Sequence, residues 1–378
     1  MPGGEDGTMV TARAAVLRRI GQPMAVETVS VGPMGPGDVL VRVAAASLCH
    51  TDLEVIEGQL AVRLPAVLGH EVAGTVAAVG PGVQGLAAGD PVVLHWNPHC
   101  GLCFHCERGQ PILCDQFLAH GPGAGHFDGA GPRFRCDDGA PLHQLMYLGG
   151  FAEYVVVPAQ QAVKLPPAMP LDRACLLGCA VMTGFGAATH IAGLAWGDVV
   201  MVIGCGAVGL AAVQGARLAG AGTIVAVDPQ SSRRAVAAAC GASVLCDPAA
   251  EDPAAVAKSL TGGRGADVVI EAAGVPAGFR ASVEAVRPGG QVVWLGKVGV
   301  QEEVAFRWGA LMQEKRITRS SYGGARPRKD FPAMSWAYLD GKLELDGLVT
   351  ARLRLEEINE GFAALKRGEA IRSVIVFD

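Results

Sequence analysis

Hydrophobic positions show two textures along the chain. Up to about residue 180 they form short Val-rich runs, at 14–17, 39–44, 72–79, 91–94 and 154–157. Turn sequences such as Gly32-Pro33, Gly35-Pro36 and Gly80-Pro81-Gly82 separate them. Short apolar runs bounded by Gly and Pro predict strands, so residues 9–182 read as a mostly β domain. From about Asp198 the texture changes. Apolar runs at 199–203, 223–227, 243–246, 267–271, 291–295 and 317–321 alternate with helical stretches, including 232–240, 254–260 and 277–286. Strand–helix alternation predicts an α/β domain over 183–322, a doubly wound parallel sheet of the Rossmann kind. After Tyr322 the alternation stops, and 323–378 reads as a return to the first domain. The Gly- and Pro-rich loop from His120 to Gly139 is either a functional or interfacial element or a solvated insert.

The chain has 378 residues, comfortable for two domains. Half are hydrophobic, and the formal net charge of −5 argues against a nucleic-acid surface or a basic membrane patch. The acidic start, Met1-Pro2-Gly3-Gly4-Glu5-Asp6-Gly7, lacks the basic and apolar regions of a signal peptide and is expected to be a loose tail. The longest apolar run, 199–213, is broken by three glycines and is too short to span a bilayer. A cytoplasmic protein with no nucleic-acid or membrane partner is expected. Eleven cysteines, mostly clustered, point to metal and free thiols rather than disulfides.

Three patterns carry chemistry. The first is Gly204-Cys205-Gly206-Ala207-Val208-Gly209, between an apolar run and a helix-like stretch. Gly204 permits a sharp turn, Gly206 lets backbone approach a pyrophosphate, and Gly209 lets helix pack on strand. The helix N-terminus offers N–H groups to phosphates. Asp228, 19 residues after Gly209, suits a ribose 2′-hydroxyl and would repel a 2′-phosphate, which favours NAD over NADP. The second is Cys100-x2-Cys103-x2-Cys106-x7-Cys114. Four thiolates fill a tetrahedral Zn²⁺ shell and leave no open position, so this zinc would be structural. An iron–sulfur cluster also takes four cysteines, but with other spacings and typically a following Pro, where this chain has Asp115. The third is scattered: Cys49, His70 and Cys179. Two sulfurs and one imidazole describe a catalytic zinc with an open corner. Each residue alone equally fits a packed thiol or a satisfied core histidine.

Cys49-His50-Thr51-Asp52-Leu53, Gly69-His70-Glu71, the Cys100–Cys114 cluster, Gly178-Cys179, Thr183-Gly184-Phe185-Gly186 and the Gly204–Gly209 loop occur in an order and at spacings that resemble the zinc-dependent medium-chain alcohol dehydrogenases. The likeness runs from about Arg13 to Phe377. The insert between Cys114 and Phe151 is similar to the branch holding the animal and plant enzymes and the glutathione-dependent formaldehyde dehydrogenases. That branch forms homodimers, with the nucleotide domains joined edge to edge.

The resemblance implies a GroES-like catalytic domain, two Zn²⁺ per chain and NAD. It makes Cys49, His70 and Cys179 the catalytic zinc ligands and Glu71 an occasional one. Asp52 fixes the His70 ring, and Thr51 takes the alcohol proton. His50 and Arg372 lie near the pyrophosphate, Thr183 by the nicotinamide, and Asp228 and Arg233 at the adenosine end. Leu295, Gly296 and Lys297 line the carboxamide site. The implied reaction is reversible oxidation of a primary or secondary alcohol to an aldehyde or ketone, with hydride transfer to NAD. An aldehyde reductase acting on an aromatic or terpenoid compound is the alternative, as is a non-catalytic dinucleotide-binding redox sensor.

Three departures bear on this. Many relatives carry His three residues after the relay hydroxyl, where this chain has Glu54, either the relay's end or a surface acid. The segment 115–120 lacks the Arg that would bind a glutathione carboxylate, which counts against that substrate. Lys297 either meets an anionic substrate or is a solvated strand-end lysine.

Overall fold

The computed structural model describes residues 9–123 and 125–378. The expected tail, residues 1–7, lies outside them. The chain divides into two compact units. The first runs to Cys179 and adds Arg326–Gly341 and Leu348–Asp378; the second comprises Ala180–Ala325 and Lys342–Gly347.

The first unit is mostly β, as its short Val-rich runs predict. Strands Val10–Leu17, Ala25–Val31, Phe134–Arg135, Pro141–Gln144 and Ala66–Val67 close a small barrel. A larger sheet runs in the order Ala162–Lys164, Pro91–Leu94, Glu71–Val79, Asp38–Ser47, Arg372–Val376 and Val349–Leu353, with Tyr154–Pro158 also paired to Asp38–Ser47. Its register matters for function. Ser47 opposes Glu71 on one side and Val374 on the other. The end of one strand, the start of a second and the start of a third therefore meet at one place.

The insert is not the solvated alternative. Phe134 is fully buried and pairs with Val31 and Leu142. Arg133, 8% exposed, donates to Asp38 at 3.3 Å and to Asp128 at 2.5 Å. Buried His126 lies 3.1 Å from the other Asp38 oxygen. A buried guanidinium needs such partners, and one of them, Asp38, comes from a strand 95 residues away.

The second unit holds a six-stranded parallel sheet ordered Val244–Cys246, Thr223–Val227, Val199–Ile203, Ala266–Glu271, Val286–Trp294 and Arg316–Arg319. Met201, Val225, Val269 and Val292 are fully buried in its core. Near-continuous apolar strands are what helices on both faces of a sheet require. The strands at 199–203 and 223–227 fall where the pattern predicts. The run expected at 291–295 begins earlier, at Val286. Residues 342–347 join this unit because Gln214 both donates to the Glu344 carbonyl and accepts from its N–H. Among the described residues, no single helix is long and apolar enough to cross a membrane.

Candidate metal centres and dinucleotide site

The strand register brings the scattered residues of the first unit together. Cys49 follows the strand Asp38–Ser47 and caps the short helix His50–Ile56. Glu71 opens the strand Glu71–Val79 with His70 immediately before it, and Arg372 opens a third. Cys179 ends the turn Cys175–Gly178, which packs so closely that a Cβ on Gly178 would lie 2.8 Å from the Leu94 carbonyl oxygen. One ligand atom each from Cys49, His70, Glu71 and Cys179 lies within 4.8 Å of the others.

Asp52 fixes this arrangement. Its carboxylate, fully buried, accepts the N–H of Cys49 at 3.2 Å and of Gly69 at 2.9 Å. It also lies 3.3 Å from His70 Nδ1. A carboxylate can only accept, so the imidazole proton sits on Nδ1. That leaves Nε2 as a bare lone pair, and Nε2 is buried without a hydrogen-bond partner. A buried, unpartnered imidazole nitrogen costs free energy unless something binds it. Beside it lie two sulfurs. Cys179 donating to Cys49, helped by the nearby Arg372 guanidinium, holds the Cys49 thiol well below its usual range despite burial. Cys179, sharing that proton, is pushed up. Two soft sulfurs and one oriented imidazole nitrogen suit Zn²⁺.

Glu71 stands behind this group. Burial pushes its carboxyl up to about 7, opposed by the Arg372 guanidinium. Arg372 Nη2 lies 3.3 Å from Glu71 Oε1 and 3.9 Å from Cys49 Sγ, while Glu71 Oε2 has no hydrogen-bond partner. Sequence alone did not suggest this ion pair, which joins residues 301 positions apart. Thr51 and Glu54 lie half-buried on the helix that Cys49 caps, and His50 is exposed there. We expect Asp52→Asn to weaken zinc binding at this centre by about 10–100-fold. Competition with a chelator measures it. The flipped donor pattern would no longer hold the Nδ1–H tautomer.

The four-cysteine group is equally compact, with Cys100, Cys103, Cys106 and Cys114 sulfurs within 4.8 Å of one another. Backbone N–H groups already point at them: Cys100 to Cys114 Sγ at 3.3 Å, Leu102 to Cys100 Sγ at 3.5 Å and Asp115 to Cys103 Sγ at 3.4 Å. The N–H of Leu102 holds the Cys100 thiol down to about 7. That contact favours the Cys100 thiolate, the form a metal needs, whereas burial pushes the Cys106 thiol up to about 12.

In the second unit, Gly204 turns with φ +91°, and a Cβ there would lie 2.6 Å from the Ala273 nitrogen. A Cβ on Gly209 would meet the Gly204 carbonyl oxygen at 1.8 Å, so only glycine lets the helix Ala207–Leu218 seat on the strand. Gly206 differs: a Cβ would meet nothing within 4 Å. This glycine leaves room for a ligand beside the helix N-terminus, which fits a pyrophosphate. Asp228 is buried. Its Oδ2 accepts from Cys205 N and its Oδ1 from Gln230 N, each at 2.8 Å. Arg234 donates to the Asp228 carbonyl at 2.6 Å, and Arg233 beside it is half-buried. Leu295 and Gly296 donate their N–H groups to the Glu271 carbonyl, and Lys297 is exposed. Thr183 Oγ1 is buried without a hydrogen-bond partner.

The profile of the alcohol dehydrogenase GroES-like domain matches residues 35–167, and that of the zinc-binding dehydrogenase matches residues 207–339. The chain is 39% identical to geraniol dehydrogenase of Castellaniella defragrans, over 97% of this chain and 98% of that one. It is 37% identical to an NDMA-dependent alcohol dehydrogenase of Amycolatopsis methanolica, over 96% and 98%. The solved benzyl alcohol dehydrogenase of Acinetobacter calcoaceticus superposes with a TM-score of 0.89 at 30% identity, covering 98% of this chain and all of that one. The chain is thus a zinc-dependent medium-chain dehydrogenase of the alcohol dehydrogenase family.

Proposed function

We propose that the chain oxidises an apolar primary alcohol, aromatic or terpenoid in kind, to its aldehyde with NAD⁺ as hydride acceptor. The observation that carries this reading is the unpartnered His70 Nε2 between Cys49 and Cys179. These three residues would hold the catalytic zinc, with Glu71 as an occasional ligand, and Cys100, Cys103, Cys106 and Cys114 a structural one. Zinc, when bound, supplies a Lewis acid that lowers a hydroxyl's pKa and polarises a carbonyl.

The chain's own residues do the rest. Asp52 holds His70 in the tautomer that presents Nε2. Thr51, two residues after Cys49, accepts the substrate hydroxyl proton. Gly204, Gly206 and the helix N-terminus bind the dinucleotide phosphates, and Asp228 accepts from the ribose hydroxyls. Both Asp228 oxygens already accept one backbone N–H, which holds the carboxylate rigid and leaves lone pairs for the ribose. The relatives' substrates support the aromatic or terpenoid class.

A panel of alcohols assayed with NAD⁺ and NADP⁺ at matched concentrations tests this. Benzylic and allylic alcohols should be oxidised with NAD⁺ at least roughly tenfold faster than with NADP⁺, and Asp228→Asn should narrow that ratio by about tenfold. An NADP⁺ preference in the unaltered protein would refute the cofactor assignment.

The working assembly is a homodimer. The edge strand Arg316–Arg319 is exposed at all four positions, with Trp308 and Met312 exposed nearby. An unprotected sheet edge flanked by apolar side chains is a pairing surface. Light scattering should give twice the chain mass of 38.8 kDa. A monomer would reject the assembly.

A further inference from the structure

A second charged site lies in the nucleotide-binding unit, at the amino ends of the sheet strands. It is a cleft of about 750 Å³ lined by Lys258, Arg264, Arg287 and Lys315, with Glu284 and Gln313 on its walls. It opens beside the starts of Ala266–Glu271, Val286–Trp294 and Arg316–Arg319. The dinucleotide loop sits at the opposite, carboxyl ends, one strand length away, roughly 17 Å for a six-residue strand.

The charges do not balance. Arg287 is paired with Asp267 at 2.5 Å, and Glu284 is paired with Arg307 at 2.7 Å. Lys258, Arg264 and Lys315 form no ion pair among the described residues. Lys315 Nζ reaches only the Val283 carbonyl oxygen, at 2.8 Å. Burial, and then the like charge of Lys258, lowers the Lys315 ammonium from its usual value, opposed by the Glu284 carboxylate on the wall. In a chain whose net charge is −5, the cleft gathers Lys258, Arg264, Arg287 and Lys315 against the single wall carboxylate Glu284, and this local excess of positive charge attracts an anion. The wall is also strained. Gln313 and Glu314 adopt φ of +71° and +58°, costly for side-chain-bearing residues, and the Gln313 carbonyl accepts from Gly289 to hold that turn.

We infer that this cleft binds a small polyphosphate anion. A single phosphate carries about two negative charges at neutral pH, fewer than the three free cations. A di- or triphosphate matches their number and fills more of the cleft. Lys258 and Arg264, both exposed, can swing onto the ligand; Lys315 is fixed by its carbonyl contact.

Inorganic tripolyphosphate titrated calorimetrically into the zinc-loaded full-length protein tests this, with saturating NAD⁺ present to occupy the dinucleotide loop. One anion per chain should bind, more weakly at high salt. Lys258→Glu combined with Arg264→Glu should weaken binding by at least about tenfold, with zinc content and melting temperature unchanged. ATP run in parallel separates the sources: affinity equal to tripolyphosphate assigns the site to the phosphate chain alone, and tighter binding assigns it to a nucleotide. No binding by the unaltered protein would overturn the inference. So would binding abolished by NAD⁺, or equal heats from the charge-reversed variant, as zinc chelation would give.

Discussion

Cys179→Ala should abolish alcohol oxidation and halve the zinc content, from two ions per chain to one, while circular dichroism stays native. Cys179 contributes one of only two sulfurs to its group, and its S–H stabilises the Cys49 thiolate. Alanine removes a ligand from a half-buried position, so the loss falls on metal retention rather than on the core. Without the Lewis acid, a hydroxyl must ionise near its free pKa, and the expected fall in kcat/KM is about 10⁴-fold or more. At 1.36 kcal/mol per decade, that is about 5 kcal/mol of transition-state stabilisation. Metal analysis and steady-state kinetics on the same sample read both effects. Two zinc ions per chain in an inactive variant would mean that Cys179 acts otherwise than as a ligand.

Cys103→Ala should act on the other ion. The lobe from Cys100 to Cys114 has little core of its own: Leu102 and Phe104 are 81% and 64% exposed, and its helix Phe104–Glu107 buries nothing. Four sulfurs are what close it. Apparent zinc-binding free energies of about 10–16 kcal/mol fold whole peptides of this kind. Here the lobe can open alone, so the global cost is smaller and the local one large. Zinc content should again fall to one ion per chain. Trypsin should cut after Arg108, and the melting midpoint should drop by roughly 5 °C. Activity of the intact fraction should persist, which separates this variant from Cys179→Ala.

What could be read from the residues depended on sequence distance. The Cys100–Cys114 spacing and the Gly204–Gly209 loop are local, so each carries its chemistry in a dozen or so positions. The parallel strands of the second unit were also legible, because buried on both faces they remain apolar along their length. Cys49, His70 and Cys179 were different. Taken singly they are ordinary core residues, and only the resemblance joined them. The register pairing Ser47 with Glu71 and with Val374 is what brings them together, and register between distant strands leaves little trace in either strand alone. For the same reason the buried Arg372–Glu71 pair went unseen. Arg133 left both readings of its loop open: a charged residue in a Gly/Pro-rich stretch can be solvated or paired, and only Asp38, from a far strand, decides it.

Anomalous diffraction at the zinc edge, on crystals of the protein as purified, tests the central assignment most directly. The account predicts two peaks per chain. One lies among the Cys100, Cys103, Cys106 and Cys114 sulfurs, and the other is bonded to Cys49 Sγ, His70 Nε2 and Cys179 Sγ with its remaining position open to solvent or substrate. A lone peak in the four-sulfur lobe of a catalytically active sample would contradict it.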